Sequence, residues 1–367
     1  MRPQATVRFV LVWAFVPFAA LSAAAQDKQR QRVLVEQHEN PVITVKSPGA
    51  EGNKLGFEGG RVIKLRGTYH LFTSEMVDKP LGVKMKLGHW TSSDRLHWKR
   101  ISTLYESSGE YAGKDPRAAL WAPMPEYNDQ EGRWNLFYVA YRCAPSTPEK
   151  WLENHEGKIW RAVSKVEGPD GIGGPYDDVG IILQPGAESQ PWEGLQGTDS
   201  FFPYRVGAKW YGFYGSADTQ KKPVQAWKVG LTSAPQLAGP WKRLPEGNPV
   251  LIEKVFIENP VVTKLRDGTF AAVYDCLVPN AVGYTFSRDG IHWESGQALV
   301  VQPKGKGRWA HDVRTPLGLI PEGGDDFTLF YTGLSNVPIS SPDGGNIGDY
   351  AVGLVTVRLT SDGPRKP

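Results

Sequence analysis

Three things are scarce in this sequence. Long apolar runs are the first: beyond residue 25 none approaches ~18 residues, so the rest of the chain offers no spanning helix. Charge of one sign is the second. The formal net charge is +3 with no Lys/Arg block, which argues against a polyanion binder and hence against a nucleic-acid partner. Cysteine is the third, with only Cys143 and Cys276. Two thiols cannot staple a disulfide scaffold, although in an exported chain a single bridge would be the default. Helical periodicity is missing too. No pattern of 10–15 residues separates the strand-like runs, which disfavours alternating strands and helices.

What is present points to export and to strands. Arg2 and Arg8 precede the apolar run "FVLVWAFVPFAAL", and "SAAAQ" offers small residues at Ala23 and Ala25. These are the parts of a secretory signal peptide over 1–25, which leaves 342 residues and a secreted or periplasmic protein. No Cys stands directly after that point, where Gln26 does, so no lipoprotein anchor is expected. Those residues are rich in Trp, Tyr and Phe, and the chain holds 41 Gly and 29 Pro, the composition of strands joined by turns.

A repeat organises them. Glu58 heads "FEGGRVIKLRGTYHLFTSE", and Asp199 heads "DSFFPYRVGAKWYGFYG". In both, 11 residues separate the acid from the aromatic that begins the second run. Glu258 heads "ENPVVTKLRDGTFAAVYD". "LWAPMPEYNDQEGRWNLFYVAY" keeps the two runs with Trp121 and Met124 where an acid would stand. "WAHDVRTPLGLIPEGGDDFTLFYTG" supplies a fifth copy headed by His311 and Asp312. Two more strand-like runs follow each pair. Ser-x-Asp-x-x-His-Trp recurs at Ser92–Trp98 and Ser287–Trp293 and reads as a turn followed by a packing aromatic. Heads at 58, 121, 199, 258 and 312 predict an all-β, five-bladed β-propeller with four-stranded antiparallel blades.

The fifth copy lacks a fourth strand. "ENPVITVK" (39–46) resembles "GNPVLIEK" (247–254) and is expected to complete that blade and close the ring, with 26–38 as a lead-in segment, disordered over its Gln/Lys/Arg-rich part at 26–32, and 39–367 as one domain. Cys143 and Cys276 fall in blades two and four, which are not neighbours. Bridged Cα atoms lie within ~7 Å, so two free, mostly buried thiols are expected.

In a propeller the first strand of each blade lines the channel, so Glu58, Asp199 and Glu258 should converge at one mouth. Loops 142–157, with Trp151, His155 and Glu156, and 334–348 should roof it. Aromatic faces cover the C–H surfaces of a sugar, and acids bind its hydroxyls. Clustered carboxyls raise one another's pKa. One protonated acid beside one base is the equipment of glycoside hydrolysis.

On these residues the chain resembles the five-bladed glycoside hydrolases of family 43 and its relatives, the arabinanases, arabinofuranosidases and xylosidases. "WAPMPEYNDQEGRWNLFYVAY", "GTDSFFPYRVGAKWYGFY" and "IENPVVTKLRDGTF" are similar to that family's second, third and fourth blades. The resemblance covers nearly all of the chain after residue 25. It implies an inverting mechanism with Glu258 as general acid, Asp199 tuning and orienting it, and Glu58 as general base. It also implies that no cofactor is required, although a central Ca²⁺ is held in some relatives. Two positions depart from the pattern: the family's base is an Asp where Glu58 stands here, and its "WAPE" is "WAPM" through Met124.

Other residues stand open between roles. His311 is a holder of a central metal, an acid as in the anhydro-galactosidase relatives, or a packed strand start. Arg314 and Arg142 are binders of a carboxylate or phosphate, or partners of the acids. Trp121 is a funnel wall or a sugar platform, Trp151 a substrate-facing aromatic, and Asp312 the axial group of blade five. The rival readings are a glycoside phosphorylase, which needs several cations, and a noncatalytic sugar-binding propeller. A fructan-cleaving enzyme is demoted, since its Asn-Asp-Pro and Arg-Asp-Pro signatures are missing from the blade heads. The expected partner is an oligosaccharide or polysaccharide of plant or algal origin.

Overall fold

A computed structural model describes residues 31–150, 153–219, 227–302, 309–334, 339–340, 346–347 and 349–360. The segment 1–25 and Trp151 lie outside the described residues. Among the described residues strands make up almost all of the regular structure, with one short 3₁₀ turn at Pro169–Gly173.

The first strand, β1 (Gln31–Gln37), is returned to below. β2 (Gly56–Leu65), β3 (Thr68–Asp78), β4 (Lys84–Ser92) and β5 (Lys99–Glu106) form an antiparallel meander. β6 (Ala119–Asn128), β7 (Arg133–Cys143), β8 (Asn154–Glu167) and β9 (Tyr176–Leu183) form a second. β10 (Asp199–Val206), β11 (Lys209–Ala217), β12 (Trp227–Ala234) and β13 (Lys242–Arg243) form a third. β14 (Glu258–Lys264), β15 (Phe270–Asp275), β16 (Ala281–Ser287) and β17 (Gln297–Val300) form a fourth. In the fifth unit β18 (Asp312–Gly323) pairs with β19 (Asp326–Leu334), and β19 pairs with β22 (Tyr350–Thr360). A small hairpin, β20 (Ile339–Ser340) with β21 (Asn346–Ile347), precedes β22.

Turn chemistry sets the hairpins. β2 and β3 are joined by Arg66-Gly67, both at positive φ (49° and 84°), the backbone that a two-residue hairpin requires. The two Ser-x-Asp-x-x-His-Trp segments fold alike. Asp94 accepts the Leu96 and His97 backbone N–H groups, and Asp289 accepts those of Ile291 and His292, each at 2.8–2.9 Å. Trp98 and Trp293 then pack against the core.

The strands do not alternate cleanly between apolar and polar. β16 is buried along its whole length, and β10 over its first six residues. Each sheet is covered on both faces by its neighbours, so both faces need apolar side chains. One core cluster packs Phe57, Leu71 and Trp90 of the first unit against Leu317, Phe330 and Leu354 of the fifth. Another packs Phe72 and Leu87 against Leu136 and Tyr138 of the second. The inner strands touch in cyclic order: β2 with β6, β6 with β10, β10 with β14, β14 with β18, and β18 with β2. At the last junction Gly56 makes a parallel bridge with Tyr350. A Cβ there would lie 2.0 Å from the Tyr350 carbonyl oxygen, so only glycine fits.

The fourth strand of the fifth unit is not 39–46. β1 pairs antiparallel with β22 from Gln31↔Thr360 to Gln37↔Val355. The expected closing segment touches β22 only around Ile43, which bridges Val352. Pro41 has no N–H to donate, and Thr44 and Ser47 turn the chain away through mutual hydrogen bonds. The segment expected to be a lead-in, 26–38, therefore contains the pairing strand. Cys143 and Cys276 are both free; Cys143 is buried and Cys276 partly so.

Candidate active site at the heads of the inner strands

Glu58, Trp121, Asp199 and Glu258 occupy one structural position, repeated in four sheets. In each ladder an extra residue is inserted just after the head. That residue is left-handed every time: Gly59 (φ 68°), Ala122 (49°), Ser200 (51°) and Asn259 (52°). A bulge bends the strand and re-aims its side chain. Three non-glycine residues in this region cost roughly 1–3 kcal/mol each, strain of a kind that gathers at functional sites. In the fifth unit the same irregularity follows Val313, so the head by register is Val313 rather than His311 or Asp312. Arg314 then stands where the other sheets place the left-handed residue.

These positions are tied together across sheets. The Ser200 hydroxyl donates to Asn259 Oδ1 at 2.9 Å. Asn259 Nδ2 donates to Thr315 Oγ1 at 3.4 Å, and Thr315 Oγ1 donates to Glu58 Oε1 at 3.4 Å. The Ala122 N–H donates to Ser74 Oγ at 2.9 Å, opposite Glu58 in its ladder.

Arg314 is the hub. Its Nη2 lies 3.2 Å from Glu58 Oε1 and 3.7 Å from Glu258 Oε2, and its Nε lies 3.6 Å from Asp275 Oδ2. Asp275 ends β15 directly opposite Glu258 and is 2% exposed. Asp199 is 6% exposed; the Ser200 N–H donates to its Oδ1 at 2.6 Å, and the Tyr141 hydroxyl also bonds its carboxyl. Three carboxyls thus surround one guanidinium, and Asp199 lies beside two of them, Glu58 and Glu258.

Burial sets their protonation. It pushes the Glu258 carboxyl well above the usual range; Arg314 opposes this, while Asp199, Asp275 and Glu58 add to it. Burial likewise raises Asp199, against the hydrogen bonds from Tyr141 and Ser200. Asp275 is pushed up to about 6 by burial, with Arg314 opposing. Arg314 is held firmly protonated, first by Asp275. Glu58 Oε1 and Glu258 Oε2 are no more than about 7 Å apart through their shared nitrogen, a bound that admits both the ~5 Å of retaining pairs and the lower end of the ~6.5–9.5 Å of inverting pairs.

The structure therefore brings Glu58, Asp199, Glu258 and Arg314 together. Arg142 is not with them: it pairs with Glu156 at 3.1 Å and donates to the Gly113 and Lys114 carbonyls. Trp121 is half-buried, its Nε1 bonded to the Gly82 carbonyl at 3.3 Å and its ring packed on Gly82. His155 is buried, with Nδ1 3.2 Å from the Glu153 carbonyl. His311 is exposed at the start of the fifth unit, its backbone N–H bonded to Leu334. Met124 lies in the core opposite Phe137. Asp275 was missed by sequence reasoning. Its signal was an acid closing the second strand of the blade that Glu258 opens, which a hairpin register places face to face.

A metal does not fit this cluster. Among the described residues no three His, Cys, Asp or Glu side chains are arranged to hold one, and the guanidinium of Arg314 takes the central cation's place.

No family model and no curated protein matches the chain. Solved structures share its fold. A family 117 glycoside hydrolase from Zobellia galactanivorans is 15% identical, with a TM-score of 0.58 over 93% of each chain. An α-L-arabinofuranosidase from Lactobacillus brevis is 15% identical, with a TM-score of 0.56 over 82% of this chain and 92% of that one. A structure from the family of mannoside phosphorylases, which also contains hydrolases of β-1,2 mannosidic linkages, is 11% identical, with a TM-score of 0.56 over 88% and 93%. The fold is that of the β-propeller glycoside hydrolases, as the sequence resemblance implies. No described helix is long and apolar enough to cross a membrane.

Proposed function

We propose that this protein is an exported glycoside hydrolase acting on plant or algal oligosaccharides, and that its five four-stranded units are the blades of one propeller closed by β1. The observation that carries the proposal is the convergence of Glu58 and Glu258 on Arg314 from equivalent strand heads, with Asp199 at a third such head beside them and Glu258 held protonated by burial. Glu258 gives its proton to the leaving oxygen as the glycosidic C–O bond breaks, and keeps the charge. Glu58 takes a proton from the water whose oxygen bonds to the anomeric carbon. Asp199, fixed by Tyr141 and the Ser200 N–H, orients the acid and raises its pKa. The chemistry needs no cofactor, so prior treatment with a chelator should leave the rate unchanged.

Phosphorolysis is the second reading, favoured by the fold shared with the mannoside phosphorylase family. Phosphate needs several cations, whereas Arg314 is already held by three carboxyls and Arg142 faces Glu156. An acid role for the exposed His311 is less supported than one for Glu258, whose burial holds its proton.

The test is hydrolysis of aryl glycosides and plant and algal oligosaccharides, with and without phosphate, by wild type, Glu258→Gln and Glu58→Gln. A loss of ~10² or more in both variants is expected. Activity only with phosphate would reassign the protein as a phosphorylase. Activity untouched by both changes, or sugar binding without turnover in wild type, would overturn the proposal. The anomeric configuration of the first product, read by NMR, separates inverting from retaining cleavage.

A further inference from the structure

We propose that Asp275 is a positioning residue for this cleavage, holding the Arg314 guanidinium toward Glu58 and off Glu258. The inference rests on the glycosidase reading above and adds to it a residue that takes no direct part in bond breaking.

The geometry is unusual for a buried ion pair. Asp275 Oδ2 and Arg314 Nε are both buried without a hydrogen-bond partner, yet face each other at 3.6 Å. Two other buried Arg–Glu pairs, by contrast, are closed. Arg100 reaches both oxygens of Glu75 at 3.0 and 2.9 Å, and Arg243 reaches both of Glu193 at 2.6 and 2.8 Å. Closed pairs use up the guanidinium, as bidentate geometry does. Arg314 is instead spread over three carboxyls, none in a bidentate contact.

The division among the three matters for catalysis. With Asp275 on the Nε side, Nη2 stands 3.2 Å from Glu58 and 3.7 Å from Glu258. Glu58, which must receive a proton, has the nearer cation. Glu258, which must give one, has the farther cation and a second acid directly across the ladder. The groups around Asp275 are Glu258 of β14, Arg314 and Asp312 of β18, Glu58 of β2, Tyr350 of β22 and the adjacent Cys276, while Asp199 of β10 and Tyr141 of β7 stand near Glu258 as well. Only Arg314 among them is cationic. Removing the Asp275 charge takes an anion away from Glu258 and releases Arg314 to close on it. Both changes favour loss of the Glu258 proton.

The test is kcat/KM against pH for wild type, Asp275→Asn and Asp275→Glu. Two glycosides of the same sugar are used, one with a poor leaving group and one with 2,4-dinitrophenol, which departs without protonation. With the poor leaving group, Asp275→Asn should move the alkaline limb down by about one pH unit, hence about a tenfold loss above it. The dinitrophenyl glycoside should be cleaved within about threefold of wild type, and Asp275→Glu should leave the limb in place. If Asp275→Asn loses cooperative thermal unfolding, the same shift is read from Asp275→Ser. An unmoved limb with equal loss on both substrates, while Glu258→Gln still abolishes cleavage of the first, would overturn this inference alone. No cleavage by wild type of any glycoside would overturn the glycosidase reading and this inference with it.

Discussion

Glu75 and Glu258 are both buried glutamates facing an arginine, and they differ in how far their needs are met. Glu75 accepts hydrogen bonds from Trp90 Nε1 at 2.9 Å and from Arg100 on both oxygens. Glu258 has one guanidinium nitrogen at 3.7 Å and three acids nearby. The first arrangement stabilises a charge; the second favours a proton. A consequence for stability follows from Asp275, whose folded pKa of about 6 exceeds its unfolded value of 3.8. Between these pH values the native state binds the extra proton, so this group's contribution falls as pH rises from about 4 to 6 and stays low above. Asp275→Asn removes that penalty. Its melting temperature relative to wild type should therefore rise by a few degrees between pH 4 and pH 7, measured by scanning calorimetry. A difference independent of pH would contradict the shift.

The bulge after each head is the element that aims the carboxyls. Gly60 sits beside it in β2 at φ 124°, and a Cβ there would lie 1.9 Å from the Phe72 carbonyl oxygen. Backbone cannot move aside as a side-chain tip can. Gly60→Ala should cost at least about 1–3 kcal/mol in urea unfolding and lower hydrolysis as well, because Glu58 lies two residues away. Stability lost with full activity retained would show that the bulge does not position the acid. The Ser-x-Asp-x-x-His-Trp turns make the opposite case. Their Asp–backbone bonds recur in β4–β5 and β16–β17, each with a partly buried Trp, and the bonds of each Asp stay within its own turn.

At the scale of the molecule, β1 matters most. It comes from the start of the described chain and pairs with β22 near its end. Without it β22 would present an open edge, and open edges aggregate. A variant lacking residues 31–37 should melt at lower temperature and self-associate at micromolar concentration, as light scattering would show. A monomer with wild-type stability would mean that β1 contributes nothing to the ring. The inner-strand contacts run in a closed cycle, so loosening the β2–β22 junction should be felt at Glu58, which lies two residues from Gly56.

Much of this was legible in the chain itself. Repeated aromatic runs, Gly and Pro at the turns, and acids at matching offsets determined an all-β repeat with Glu58, Asp199 and Glu258 at equivalent places, because strand period and turn chemistry are local. Cys143 and Cys276 follow from the same spacing, as residues of non-adjacent sheets. The outer partner of β22 was misplaced, because 31–37 and 39–46 both carry strand-forming residues, and only pairing with β22, more than 300 residues away, chooses between them. Asp275 and the role of Arg314 were decided by tertiary structure for the same reason. One is set by hairpin register, and the other by a guanidinium that reaches residues 39, 56 and 256 positions distant. Burial, which holds the proton on Glu258, exists only once the sheets have packed.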